Sequence, residues 1–281
     1  TLLTDCVITP YGLRKVGDLK VGDVISDPTT GGSQSIAQLH PIEEHEFYRL
    51  TFDDGTYVDC SEGHLWKIKK NGGAWILKEA LSIFNDYQKN INRKRKLRYR
   101  IPITEAISFS ESKSSLSDRP LHPYFVGNML GNGCMSDFYI NELHKVSLTT
   151  PFDEIATRLS ELGFDMSHFE NRSGCKTYHI YNKEIRDSIS RIGLSGKTSI
   201  NKFIPDSYKY APIEERKELM RGLIDSDGSV DERGRISYYT ISEMLADDVA
   251  FVARSLGYWV SKHVQTNRRY KTSDGETHIG K

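Results

Sequence analysis

Residues 218–228, ELMRGLIDSDG, constrain this chain more than any other stretch. Leu219, Met220, Leu223 and Ile224 recur at helical spacing, which predicts a buried helix. Gly222 and Ser226 lie four apart, and so on one face of it. Small residues there let a second backbone come close. An interior glycine costs about 1 kcal/mol against alanine, so a packing partner is expected in return. Asp227 falls at the helix end, and Gly228 after it suits a left-handed cap. The carboxylate there faces the negative pole of the helix dipole. It needs a positive charge nearby, such as a metal ion.

A second stretch carries the same notches. Residues 124–133 read YFVGNMLGNG. Gly127 and Gly131 repeat the four-residue spacing, and Gly133 repeats the terminal glycine. Asn132 stands where Asp227 stands in the other copy. An internal repeat of this kind predicts two similar units facing each other.

The sequence MRGLIDSDG resembles the motif of LAGLIDADG homing endonucleases, and FVGNMLGNG resembles a degenerate first copy. The resemblance implies two helices crossing at a pseudo-twofold axis, with Gly127, Gly131, Gly222 and Ser226 at their interface. It implies that Asp227 and Asn132 hold the catalytic and metal positions. The ion would be Mg2+ or another divalent cation, at the scissile phosphates of double-stranded DNA. A neutral amide offers a metal one carbonyl oxygen and no charge, whereas hard divalent ions favour carboxylates. Cleavage is therefore expected to be lost or weakened at the Asn132 half, leaving a nick governed by Asp227. Alternatively, Asn132 caps its helix and another acid holds the ion. In the family each sheet lies along the DNA major groove. Lys145 in the first half and Lys262, Gln265, Arg268 and Arg269 in the second fall on those strands, with Asn141, His144, Tyr238 and Asn267. Polar residues on one face of a half-buried sheet are expected in any case.

The first hundred residues read differently. Residues 16–26, VGDLKVGDVIS, are short apolar strands punctuated by Gly-Asp pairs. Residues 47–58, FYRLTFDDGTYV, give a strand, an Asp-Asp-Gly turn and a second strand. Short strands run to about Lys70, so this part reads as all-β. The order of features resembles an intein, the self-excising element built on the Hint fold. Asp5, a strand over 6–9, the Tyr11-Gly12 turn and the Gly-Asp phrases match the amino-terminal splicing block and its sequel. Residues 60–66, CSEGHLW, resemble the second block, with Ser61-x-x-His64 in place of the usual Thr-x-x-His. The resemblance covers nearly the whole chain, because many inteins carry a LAGLIDADG unit inside the Hint domain.

It implies an acyl shift from a backbone nitrogen to the side chain of residue 1, needing a protonated leaving nitrogen and a held tetrahedral intermediate. His64 would support amide cleavage, Ser61 would bond near the scissile peptide, and Asp5 and Trp66 would support the block. Thr1 departs from the family's Cys or Ser. Its hydroxyl is far less acidic than a thiol and its methyl group crowds the attack. Three readings fit: weak attack, a blocked first step, or a mechanism that uses a downstream cysteine instead. The last class carries a Trp two residues after the block His, where Trp66 stands, although a Trp after a strand also fills cores.

Residues 67–100 are basic, with KIKK and then KNINRKRKLRYR at 89–100. Such a run is either a solvated loop or a DNA-backbone contact. Residues 75–87 predict a short helix. Pro102 and the Ser-rich 108–117 mark a boundary. Beyond it the patterns predict strands over 137–149, a helix over 151–163, a hairpin over 168–182 and a helix over 183–193. The second unit opens at Pro212 and continues with strands over 235–242, a helix over 243–257, a strand over 258–266 and a basic turn at Arg268, Arg269 and Lys271.

The combined expectation is an all-β Hint region at 1–103, a linker at 104–120 and an α+β LAGLIDADG domain at 121–281. That domain has two αββαββα halves, 121–200 and 201–281, the second truncated. Splicing, which needs no cofactor, is coupled to site-specific DNA cleavage. The expected partners are target DNA, the flanking host segments (exteins) and a carboxy-terminal intein segment missing from this chain. Two rivals remain. A free-standing homing endonuclease explains the repeat but not residues 1–66, and a dead DNA-binding remnant explains Asn132 and Thr1 together. Net charge is zero, so no global basic field announces nucleic acid. The four cysteines form no close pair, which argues against a zinc site or disulfide framework and for a reducing cytoplasm. No apolar run is long enough for a membrane span, and none resembles a signal peptide.

Overall fold

The structure is a computed structural model that describes residues 2–70, 72–92, 99–110, 118–135, 145–170, 175–265, 269–271 and 277–279. The amino-terminal region is built of small antiparallel sheets. Strands β1 (Cys6–Thr9) and β2 (Gly12–Lys15) form a hairpin, turned at Gly12 with φ of +105°. Val16–Asp18 forms a 3-10 turn where a strand was expected, and only β3 (Val24–Ser26) is extended, paired with β4 (Ser33–Ser35). The expected hairpin is present as β5 (Phe47–Thr51) and β6 (Tyr57–Ser61), with Gly55 in the left-handed region at the turn.

Strand β7 (Leu65–Lys70) is the centre of a three-stranded sheet between β8 (Trp75–Glu79) and β9 (Tyr99–Arg100). Helix α1 (Ala80–Asn92) follows β8. The helix expected from residue 75 thus starts five residues later. Residues 75–79 instead take the free edge of β7, where Trp75 and Ile76 pair with Lys69 and Ile68.

The remainder alternates helices and hairpins. The first unit runs α2 (Pro123–Gly131), β10 (Gly133–Cys134), β11 (Lys145–Thr150), α3 (Asp153–Glu161), β12 (Ser167–Glu170), β13 (Lys176–Tyr181) and α4 (Lys183–Arg191). Its sheet has the order β10-β11-β13-β12. Helix α5 (Asp206–Lys209) leads to the second unit: α6 (Ile213–Asp227), β14 (Gly228–Val230), β15 (Ile236–Tyr238), α7 (Glu243–Ser255), β16 (Arg269–Lys271) and β17 (Thr277–Ile279). The αββαββ order is therefore seen twice. The strand expected over 258–266 is not formed at 258–265, which carries no regular structure. A strand needs a neighbour for its backbone groups, and here the paired neighbours are β16 and β17, further along. Arg269 opens a strand rather than a turn.

One hydrophobic core runs through both units. Tyr124, Phe125, Met129 and Leu130 of α2 meet Leu219 and Leu223 of α6, with Val146, Leu148 and Ile180 from the sheet beneath. Phe125 stacks on Phe164 at 4.2 Å. Residues 104–110 join the two regions. Ile107 N donates to Ser255 O, while Ser108 N and Ser110 N donate to Gly31 O and Pro10 O. Fully buried Arg216 donates to Ile107 O and to Ala211 O, and lies over the Phe109 ring. Arg254 bridges across to Asp54 at 3.2 Å. Among the described residues, no helix is long and apolar enough to cross a membrane.

Candidate active site at the crossed helices

The crossing of α2 and α6 is set by missing side chains. A Cβ at Gly127 would lie 2.3 Å from Leu219 O, and one at Gly222 would lie 2.2 Å from Tyr124 O. Both obstacles are backbone and cannot swing aside. At the next turn, a Cβ on Gly131 would meet Ser226 Oγ at 2.0 Å and Asp227 Oδ2 at 3.3 Å. The four predicted interface residues therefore all meet, and the contact delivers the two helix ends to one place.

The terminal glycines act differently from expectation. Gly228 is extended, with φ of −90° and ψ of 166°, and opens β14; Gly133 likewise opens β10 outside the left-handed region. Each helix passes directly into a strand with no left-handed cap. Glycine is needed there because a Cβ would strike the carbonyl of Ile224 at 2.4 Å or of Met129 at 2.5 Å.

At these ends Asn132 and Asp227 sit in unlike surroundings. Asn132 Nδ2 donates to Ser226 O across the crossing at 3.2 Å, which leaves its carbonyl oxygen available. Asp227 is half-buried. Burial raises its carboxyl pKa, and Lys202 pulls it partly back. Lys202 was not legible in the sequence. It is buried, and its Nζ donates to Gly131 O at 2.8 Å and Gly133 O at 2.9 Å. Its ammonium therefore sits at the negative end of α2, beside Asp227. Burial pushes its pKa down to about 8, against the pull of Asp227. Its only sequence signal is a lysine directly ahead of apolar Phe203 and Ile204. Tyr238 pairs with Gly228, and its buried hydroxyl has no hydrogen-bond partner among the described residues. Burial and then Asp227 raise the Tyr238 pKa.

The outward face of the first sheet carries Lys145, Ser147 and Thr149 of β11 opposite Tyr181, His179 and Thr177 of β13. Lys145 was expected here; His179, Tyr181 and Thr177 were missed. The His179 ring packs against Phe169 and Tyr181, its buried Nδ1 has no partner among the described residues, and burial lowers its pKa. In the second unit Lys262 is held by Asp247 at 2.5 Å, and Gln265 is exposed. Asn141, His144, Asn267 and Arg268 lie outside the described residues.

In the amino-terminal region Ser61 ends β6 and His64 precedes β7, joined by His64 N donating to Ser61 O at 3.1 Å. The His64 ring meets Trp66 edge-on at 5.5 Å, and burial lowers its pKa, which favours the neutral imidazole. Trp66 Nε1 is buried and has no partner among the described residues. Asp5 accepts from Leu2 N at 3.0 Å and fixes the turn before β1. Thr1 lies outside the described residues.

Among the described residues, no cluster of three His, Cys, Asp or Glu could hold a metal. The helix ends nevertheless offer one carboxylate (Asp227), one amide carbonyl (Asn132) and the orphaned hydroxyl of Tyr238. One carboxylate and one amide carbonyl carry less charge than the carboxylate pair that hard divalent cations favour.

The chain is 25% identical over 265 residues to the replicative DNA helicase DnaB of Mycobacterium intracellulare, covering 89% of this chain and 41% of the helicase. It thus spans less than half the length of that relative. Residues 214–280, from the start of α6 to the end of β17, match the LAGLIDADG-like domain. With α6 crossed against its notched counterpart, this chain carries a LAGLIDADG-like domain in its carboxy-terminal region.

Proposed function

We propose that residues 121–281 form a Mg2+-dependent homing endonuclease that nicks double-stranded DNA, set on an intein splicing region at 1–103. The observation that carries this reading is that the glycine crossing brings the Asp227 carboxylate, the Asn132 amide and buried Lys202 to one place. Asp227 and the Asn132 carbonyl would hold the ion. A bound divalent ion supplies charge neutralisation at the scissile phosphate and a more acidic water. Lys202 places a fixed positive charge where negative charge develops on the phosphoryl oxygens. The face of Lys145, His179 and Tyr181 contacts the duplex in the groove and sets its register.

In the splicing region, the neutral imidazole of His64 can take up and return a proton at the amide of the amino-terminal junction. The hydroxyl of Ser61 stands within one turn of it. The partners are the exteins and a carboxy-terminal segment carrying the second junction. A likeness to only part of a much longer helicase is compatible with an element residing in a host protein.

The test is a supercoiled plasmid carrying the uninterrupted host site, incubated with the chain and Mg2+. Open-circular product is expected. Asp227→Asn is expected to lower its rate by more than about 100-fold, since even the outer-shell partners of a metal are commonly worth 10–100-fold. Linear product from the unaltered chain at a comparable rate sinks the nicking reading.

A further inference from the structure

The basic run that the nuclease site leaves unused ends on an ordered surface. Side chains alternate along β7, so Leu65, Lys67 and Lys69 share one face while Ile68 is buried on the other. Register places Leu77 and Trp75 of β8 beside Lys67 and Lys69, and Arg100 of β9 directly opposite Lys69. Lys67, Leu77, Trp75 and Arg100 are exposed, and Lys69 Nζ lies 5.8 Å from the centre of the Trp75 ring.

Two cations opposite one another on neighbouring strands repel, and a chain gains nothing by placing them there without a counter-charge. Elsewhere in this region cations face acids: Arg14 meets Asp23, Arg49 meets Asp59 and Lys78 meets Asp86. Among the described residues, Lys67, Lys69 and Arg100 have no such partner. The acid on this face, Glu79, stands across from Leu65 at the far end. In a chain of zero net charge, an unpaired trio in register around an exposed indole marks a surface for an external polyanion. In sequence, the run RKRKLR at 93–98 immediately precedes β9.

We propose that the outer face of the β8-β7-β9 sheet binds the phosphate backbone of duplex DNA, through Lys67, Lys69 and Arg100 around Trp75. This rests on the nuclease reading for its biological sense and adds a second, sequence-independent contact outside the cleavage site. The strap at 104–110 and the Arg254–Asp54 bridge tie the amino-terminal region to the nuclease region.

The test measures binding of the full chain to a long duplex, roughly 60 base pairs, across a salt titration. Each phosphate contact contributes a slope of about 0.9 in log K against log salt. The triple variant Lys67→Gln, Lys69→Gln, Arg100→Gln is expected to lose close to three contacts' worth of slope and roughly tenfold or more in affinity. Lys67→Arg with Lys69→Arg should restore binding relative to the glutamine variants. If the unaltered chain binds DNA and the triple variant matches it, the proposal is overturned while the nuclease reading stands. If binding depends on the trio but no DNA is ever nicked, the surface stands and the nuclease reading falls. Loss of binding to anionic lipid vesicles in the triple variant, with DNA binding unchanged, assigns the face to a membrane and overturns the proposal.

Discussion

Helices α2 and α6 are near-copies in how they pack and unlike in what they end on. Gly127 and Gly222 admit each other's backbone almost symmetrically, with obstructed Cβ positions 2.3 and 2.2 Å from a carbonyl oxygen of the partner helix. At the ends the symmetry stops. The α2 end presents Asn132 and has its carbonyls capped by Lys202; the α6 end presents Asp227 beside the orphaned hydroxyl of Tyr238. The difference teaches that a pseudo-twofold interface is held by sterics, which tolerate no drift, whereas the chemistry at each end can diverge separately. Charge at one end can even be met by a residue outside the repeat, as Lys202 shows.

The largest expected effect breaks the symmetric part. Gly222→Ala sets a methyl group against the α2 backbone at Tyr124 O, Gly127 Cα and Asn128 N, so α2 and α6 must separate. Overpacking of this kind typically costs about 1–3 kcal/mol and occasionally more, and the upper end or beyond is expected here. Gly131→Ala meets chiefly the Ser226 side chain, so pairing it with Ser226→Gly should recover part of its loss. Urea unfolding of the four proteins checks this. Equal, unrescuable losses at Gly131 and Gly222 would mean the two notches are not distinguished by what they face.

A smaller, functional effect concerns the asymmetric part. Asn132→Asp supplies the missing carboxylate and is expected to convert part of the nicked product to linear DNA. The plasmid assay separates the two on one gel. Unchanged nicking with no linear product would place the defect in the surroundings of Asn132, with Lys202 the first suspect, and not in the amide.

How much of this was legible turns on sequence distance. The paired helices were readable because glycine spacing is local and each copy carries its own pattern. The hairpin of β5 and β6 was readable from its Asp-Asp-Gly turn for the same reason. Lys202 was not, because its bonds to Gly131 and Gly133 span about seventy residues and nothing near it announces burial. His179 and Tyr181 reach the sheet face through register with β11, which alternation alone does not give. Gly228 was misread as a left-handed cap because its true constraint is the Ile224 carbonyl behind it. Residues 75–79 followed an open strand edge over their helical pattern, since tertiary pairing outweighs weak propensity.

The smallest effect separates the helices at their other ends. Helix α2 is capped by His122, whose Nδ1 accepts from Tyr124 N at 3.2 Å; α6 begins after Pro212 with no side-chain cap. A protonated imidazole has no acceptor, so the α2 cap exists only while His122 is neutral. Burial holds its pKa below the ordinary histidine value of 6.5. The folded state therefore binds fewer protons than the unfolded state below about pH 6.5. The stability this provides is fully present above that pH and is lost as pH falls through the depressed folded value. An N-cap bond is worth about 1 kcal/mol, so acidification should loosen the first turn of α2 and leave α6 unaffected. Hydrogen-exchange protection of the amides at 124–126, compared between pH 7 and pH 5 and corrected for intrinsic rates, reads this directly. His122→Asn keeps an acceptor that does not titrate and should abolish the pH dependence. Protection that falls equally in both helices, or that still falls in the Asn variant, would show that the acid sensitivity of α2 does not originate at its cap.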